Sequence, residues 1–234
     1  MANLDFGTTP LFVANDNKIL SPVRASANFA DEVRLTRALS ALQRGPVHIY
    51  RGKVIVCDGD AANYLFFVVS GVVRSCKVYK NGDRIIGAFY LPGDLFGWTD
   101  RKHSLSLEAA TDALVLFLKR SALLSLACRN RRVASTLLSA TTNELQRTQE
   151  HIMLMSKMAK CRVAAFLADL WMRLGKGEYL DVPMSYQDIA DYLGLTIETL
   201  SRSITDMERS GLISRVSGRK LLVRNGFALG HMRN

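Results

Sequence analysis

Ser185–Arg209 reads SYQDIADYLGLTIETLSRSITDMER, the pattern of two helices joined by a tight turn. Ser185 is an N-cap residue for the first helix, and Asp188 follows at the spacing of a capping box. Ile189, Ala190 and Leu193 fall on one face of that helix. Gly194 supplies the turn, because only glycine takes left-handed backbone without penalty. Thr196 caps the second helix, whose Leu200 and Ile204 turn back to the same core. Ala190 is small where two steeply crossed helices must approach closely. Ile197, Glu198, Ser201 and Arg202 are then left near the start of the second helix, facing outward. The pattern is a helix-turn-helix, whose second helix lies in the DNA major groove with its first residues at the base edges.

The outward residues suit that task. The Arg202 guanidinium can donate two parallel hydrogen bonds to O6 and N7 of guanine. Glu198 can accept from the N4 amine of cytosine, and Ser201 is short enough to serve several bases. A good bidentate contact discriminates by about 1–3 kcal/mol. The plainer alternative is a solvated face with an i,i+4 Glu198–Arg202 pair, worth about 0.2–0.5 kcal/mol. A turn-preceded helix carrying these residues favours base reading.

The run IADYLGLTIETLSR, Ile189–Arg202, resembles the C-terminal domain of the CRP/FNR superfamily of bacterial transcription regulators. It is most similar to the FNR/FixK branch, whose recognition helix carries Glu-x-x-Ser-Arg, here Glu198 to Arg202. The resemblance implies palindromes of the type TTGA-N6-TCAA. Ile197 stands where the catabolite activator has an arginine, which also points to that kind of half-site.

The 234 residues allow one or two domains. No apolar run is long enough for a membrane span, and the N-terminus lacks the basic start and apolar core of a signal peptide. A cytoplasmic protein is expected. The net charge of +10 suits a polyanionic partner. Residues 157–234 hold 12 Lys/Arg against 8 Asp/Glu, a balance of only +4. Basicity is therefore not concentrated on the DNA-reading part. Cys57, Cys76, Cys128 and Cys161 form no CxxC pair, and no histidine lies at metal-finger spacing, so reduced, structural cysteines and no metal are expected.

In chain order, residues 1–30 read as a polar N-terminal arm. FNR-type oxygen sensors carry an iron–sulfur cysteine cluster there. This arm has no cysteine, which argues against such a cluster. Asp31–Leu42 reads as a short amphipathic helix. From Gly45-Pro46 the pattern turns to short β-rich runs, KVIVCDGD, NYLFFVVSGVVRSCKVYKNGDRIIGAFYLPGDLFGW and ALVLFL, divided by Gly, Asn and Asp. Asn81-Gly82 is a hairpin signal. Regular short strands argue a sandwich or barrel. LFFVVSG and LPGDLFG resemble the cyclic-nucleotide-binding β-roll of the same superfamily, with Gly59, Gly71, Gly82, Gly93 and Gly97 at its turns.

The resemblance does not carry the ligand. Nucleotide-binding members follow the LPGDLFG-like stretch with Gly-Glu and then Arg-Ser. Here Trp98 follows Gly97, and His103 stands at the arginine position before Ser104. An indole replaces the ribose-binding carboxylate, and no fixed cation faces the phosphate. No cofactor is expected. The competing reading is a ligand-gated regulator, with a small molecule in the roll or haem on His103 or His48. RGKV at Arg51–Val54 fails as a phosphate loop, because six residues separate Gly45 from Gly52 instead of four and Val54 replaces Ser/Thr. No nucleophile–base constellation suggests an enzyme.

Residues 121–156 contain no Gly or Pro and read as helix. Leu138, Thr141, Leu145, Thr148, Ile152, Met155 and Ala159 recur at alternating steps of three and four, a coiled-coil seam. A helix packed on its own roll is compatible with this, because its other face can meet a twin. The superfamily resemblance implies that this helix forms a homodimer, with Leu138, Leu145, Ile152 and Met155 in the interface. KMAKCRVAAFLADLWMRLG continues as the next family helix, stopping at Gly175. SGLISRVSGRKLLVRN reads as a two-stranded wing, with Ser217-Gly218 turning and Arg219 and Lys220 at its tip. Arg219, Lys220, Tyr186, Gln187, Thr196 and Thr199 are candidates for phosphate contacts.

The expected class is therefore α+β, with an N-terminal arm (1–30), a β-roll (31–120), a dimerisation helix (121–158) and a winged helix-turn-helix (159–234). The expected function is a homodimeric, sequence-specific regulator of transcription, an activator. The resemblance adds RNA polymerase as a partner, through a roll turn such as Tyr79–Arg84.

Overall fold

The structure, a computed structural model, describes residues 45–174 and 177–224. The N-terminal arm, the helix expected at Asp31–Leu42 and the stop at Gly175 lie outside the described residues.

Among the described residues eight strands come first: β1 (Val47–Ile49), β2 (Val54–Val56), β3 (Tyr64–Ser70), β4 (Val73–Val78), β5 (Arg84–Tyr90), β6 (Leu95–Phe96), β7 (Ser106–Ala109) and β8 (Ala113–Lys119). They form two antiparallel four-stranded sheets, ordered β1-β8-β3-β6 and β2-β7-β4-β5. The run YLFFVVS becomes β3 and is apolar on both faces because both are covered. Phe66 and Val68 point between the sheets, while Leu65 and Phe67 point outward beneath α1 (Arg120–Arg129) and α2 (Arg131–Met155). Period-two alternation sorts the neighbouring strand likewise, with Val115 inward and Leu116 and Leu118 outward. The five turn glycines named above all take positive φ.

The second sheet departs from strict alternation at Gly87. Ser75 pairs with Ala88 and Cys76 with Ile86, which leaves Gly87 as the extra residue of a β-bulge. Ile86 and Phe89 thereby share the outer face, while Tyr90 points inward. A side chain at Gly87 would come 3.1 Å from both Leu105 Cδ1 and Ser75 Oγ.

That outer face belongs to a third core. Val72, Cys76, Ile86, Phe89 and Leu91 pack in one cluster with α3 (Ala159–Leu174), α4 (Tyr186–Leu193) and α5 (Ile197–Arg209). The C-terminal head is thus seated on its own roll. Three strands, β9 (Tyr179–Asp181), β10 (Ile213–Ser217) and β11 (Lys220–Val223), complete it in the order β10-β11-β9.

Three expectations are corrected. The helix over 121–156 is two helices, broken at Asn130, whose backbone is extended (φ −133°, ψ 103°). Its side-chain oxygen accepts from the N–H groups of Arg132 and Val133 at 3.0 and 3.4 Å, an N-cap that ends one helix by starting the next. The wing has a third strand, β9, too short to show a period. Its turn is Gly218-Arg219, so Lys220 opens β11, paired with Asp181, and does not sit at the tip.

Candidate nucleic-acid interface

The local chemistry of the helix-turn-helix follows from its sequence. Ser185 Oγ accepts from the Asp188 N–H at 3.0 Å and starts α4. Gly194 ends it in the left-handed region (φ 60°, ψ 43°), and the Leu195 N–H returns to the Ala190 carbonyl at 2.9 Å, closing the turn. Thr196 caps α5 by accepting from the Thr199 N–H at 3.2 Å. Ile189, Ala190, Leu193, Leu200 and Ile204 are all buried and lock the two helices into one unit.

Glu198 and Arg202 are exposed on the first two turns of α5, with Ser201 half-buried between them. No ion pair joins Glu198 to Arg202, and Arg202 has no partner among the described residues. The five donors of its guanidinium are therefore available to a ligand. The Glu198 carboxyl is held below its usual range by its own backbone N–H and by the Thr196 hydroxyl, so it is an acceptor at neutral pH.

The candidates for phosphate contacts are more occupied than the sequence suggests. Gln187 Nε2 donates to Asp191 Oδ1 at 2.7 Å, and the Thr199 hydroxyl lies 3.1 Å from that of Thr196. Tyr186 is half-buried against the head's core. Lys220 Nζ lies 5.0 Å from the centre of the Tyr179 ring, a cation–π contact. Arg219 remains exposed on the wing turn, donating to the Pro183 carbonyl at 3.2 Å.

Asp188 holds a role that the sequence does not disclose. Its carboxylate is buried and accepts from Arg74 Nη1 at 2.8 Å and from Arg84 Nη2 at 2.7 Å. Both arginines come from the roll, so Asp188 joins the two parts of the molecule. Arg84, expected in a projecting turn, is drawn inward by this contact and by Asp191.

Along α2, Leu138, Leu145 and Ile152 are exposed at 70%, 59% and 63%. Met155 leaves this strip and is half-buried against the head's core.

The side chains at the positions that the resemblance gives to nucleotide contacts are engaged elsewhere. Trp98 Nε1 is committed to the Leu95 carbonyl at 3.0 Å. His103 is buried against Phe66, and desolvation lowers its pKa, so a neutral ring stands where the resemblance would place a phosphate-gripping arginine. Arg120, a nearby cation, is taken by the carbonyls of Thr99 and Asp100. His48 is exposed beside Tyr50. All four cysteines are free, and among the described residues no group of three or more His, Cys, Asp or Glu could hold a metal. Nor is any described helix long and apolar enough to cross a membrane.

Comparison with known proteins gives two family matches. A Crp-like helix-turn-helix domain matches residues 161–232, and a cyclic nucleotide-binding domain matches residues 46–130. The chain is 42% identical over 207 residues to the nitrogen fixation regulation protein FixK of Azorhizobium caulinodans, covering 86% of this chain and 84% of that protein. It is 36% identical over 186 residues to FixK of Rhizobium meliloti, covering 78% and 84%. Among solved structures, FixK2 from Bradyrhizobium japonicum superposes with a TM-score of 0.76 at 36% identity, covering 81% of this chain and 96% of that one.

Proposed function

The chain belongs to the CRP/FNR family as a FixK-like, DNA-binding transcription regulator, and from that premise we propose that it acts as a cytoplasmic homodimer that activates transcription from TTGA-N6-TCAA palindromes. The observation that supports this best is the unpartnered, exposed Arg202 beside an ionised Glu198 on a capped and buried-backed recognition helix. Arg202 donates to guanine, Glu198 accepts from cytosine, and Ser201 contacts an adjacent base. Thr196, Thr199, Tyr186, Gln187, Arg219 and Lys220 face the flanking phosphates, with Arg219 contributing most because it is the more exposed of the two cations.

Two heads are needed. One half-site does not supply the affinity of a typical operator complex, whereas two linked heads do. The exposed Leu138, Leu145 and Ile152 strip supplies the second copy's contact. Each of those side chains contributes about 1.5–3 kcal/mol when fully covered. RNA polymerase meets the exposed Tyr79–Asp83 turn. Binding needs no added effector, since Trp98 and His103 fill the positions a nucleotide would require, and no catalytic role is assigned.

The experiment is selection of bound oligonucleotides from a random pool by purified protein without added ligand. Recovery of TTGA-type half-sites in a palindrome supports the reading. Recovery only after adding a small molecule supports ligand gating, and an unenriched pool defeats both.

A further inference from the structure

We infer that Arg74, Arg84 and Asp188 are positioning residues that fix how far apart the two recognition helices stand, and so select the spacer length of the operator. The inference rests on the proposed reading of a dimer on a palindrome.

The head has only a short covalent link to the dimer helix. α2 ends at Met155 and α3 begins at Ala159. Arg162 braces this junction, donating to the carbonyls of Met155, Lys157 and Leu193. The stack of His151 on Tyr192 holds α2 to α4 beside the same junction, so both contacts secure only the near end of the head. Away from the junction, Arg173 of α3 pairs with Asp94 of the roll, and Arg74 of β4 and Arg84 of β5 converge on one oxygen of Asp188, which follows them by 114 and 104 residues in sequence. Arg84 also bonds Asp191 Oδ2 through Nε at 2.7 Å. Arg74 is itself oriented by Glu108, whose Oε2 accepts from Nη2 at 2.8 Å.

This geometry specifies angle more than adhesion. The apolar contact around Ile86 and Phe89 already holds the head to the roll, but the hydrophobic effect has no direction of its own. Charge-assisted bonds from two arginines converging on one buried carboxylate do have one, because displacement leaves charge buried and unpaired. Asp188 and Asp191 lie on α4, which shares its buried face with α5, so the angle of α4 is the angle of the reading helix. In a two-fold dimer any tilt is doubled. A shift of about 1.7 Å in each head changes the separation by one base-pair step of about 3.4 Å.

The test uses full-length protein and palindromes whose half-sites are constant and whose spacer is one base pair shorter, equal or one longer than the selected length. Wild type, Arg84→Met, Arg84→Lys and Asp188→Asn are titrated on each, with circular dichroism confirming folding. A parallel series alters the half-site guanine at constant spacer. Arg84 is partly exposed, so its variants keep the test open if Asp188→Asn does not fold. The expected result is that Arg84→Met lowers the preference for the favoured spacer about tenfold, a change of about 1.4 kcal/mol, while preference at the guanine is unchanged. Arg84→Lys, which keeps charge and loses the fork, falls between. Variants that weaken on every spacer equally, or that bind every spacer more tightly, overturn the inference. A wild type with no preference for any palindrome defeats the parent reading instead.

Discussion

The His151 ring lies nearly parallel to that of Tyr192, with centroids 4.2 Å apart and an interplanar angle of 23°. The contact packs the end of α2 on α4, beside the junction that connects dimer helix and head. Nδ1 of His151 is buried with no hydrogen-bond partner, and desolvation lowers its pKa from the ordinary 6.5. A histidine with a depressed pKa stays neutral in the fold at a pH where the unfolded chain has already taken up the proton. Stability is therefore greatest above pH 6.5 and is lost as pH falls through the folded pKa. His103 has the same sign. The difference in urea midpoint between pH 7.5 and pH 5.5 should shrink in His151→Phe, which keeps the stacked ring and removes the proton site. An equal difference in both proteins would assign the acid sensitivity elsewhere.

Gly71 tests the roll. Its φ is +79°, and a Cβ there would stand 2.1 Å from the Asp112 carbonyl oxygen and 2.7 Å from Ala113 Cα. Backbone atoms of a paired strand cannot retreat as a flexible side chain can. Gly71→Ala should cost more than the roughly 1–3 kcal/mol of an ordinary left-handed strain. Each kcal/mol lowers Tm by about 2–4 °C at this chain length. Gly59, whose added Cβ would meet nothing within 4 Å, is the matched control, and its alanine variant should melt closer to wild type.

The thiols should separate by burial. Cys57 and Cys128 are exposed, Cys161 is half-buried, and Cys76 lies in the core between roll and head with its pKa pushed up to about 11, mainly by burial. Since the thiolate is the nucleophile, iodoacetamide at pH 7.5 should label Cys57 and Cys128 first and leave Cys76 unlabelled until the chain is unfolded. Early labelling of Cys76, read by peptide mass, would mean that the head leaves the roll readily.

Leu145 addresses assembly. It is exposed in the centre of the Leu138–Ile152 strip on α2. Leu145→Glu should shift sedimentation from dimer to monomer at micromolar protein and abolish binding to a palindrome at concentrations where wild type is saturated. Its far-ultraviolet spectrum should not change, because the side chain touches no core. A dimer that survives the change would place the interface on another surface.

What the sequence discloses is what local chemistry decides. Ser185, Gly194 and Thr196 each satisfy backbone groups within four residues, so the turn and both caps can be read from spacing, and burial of Leu200 and Ile204 follows from helical period. The strands of the roll are marked by β-branched runs and turn glycines in the same local way. The Asn130 break is also local and was obscured only by the absence of Gly and Pro. The Arg74–Asp188 contact is different in kind. Asp188 has the spacing of a capping box, yet its carboxylate serves an arginine 114 residues earlier, and no local pattern distinguishes the two uses. Met155 shows the same limit, because its heptad position fits the seam while the junction after it turns the side chain into the head. Gly87 escaped for a related reason, since a bulge is defined by the partner strand's register.

Reading and holding fall to different arginines. Arg202 is exposed and unpartnered among the described residues on α5, whereas Arg219 sits on the wing turn and donates to the Pro183 carbonyl. A guanidinium that bonds O6 and N7 of one guanine loses discrimination there when removed, by about 1–3 kcal/mol. One that meets a phosphate has no base to distinguish, and its loss weakens all sequences alike while reducing the salt slope by about 1. Arg202→Ala should therefore bind the guanine-substituted and intact operators with similar affinity and keep most of its affinity for non-specific duplex. Arg219→Ala should keep the wild-type preference, with a shallower dependence of log K on log salt. Electrophoretic titrations at several salt concentrations measure both quantities on the same samples. If both variants lose affinity uniformly with no change in preference, guanine is read by another residue, and Ser201 becomes the first to examine.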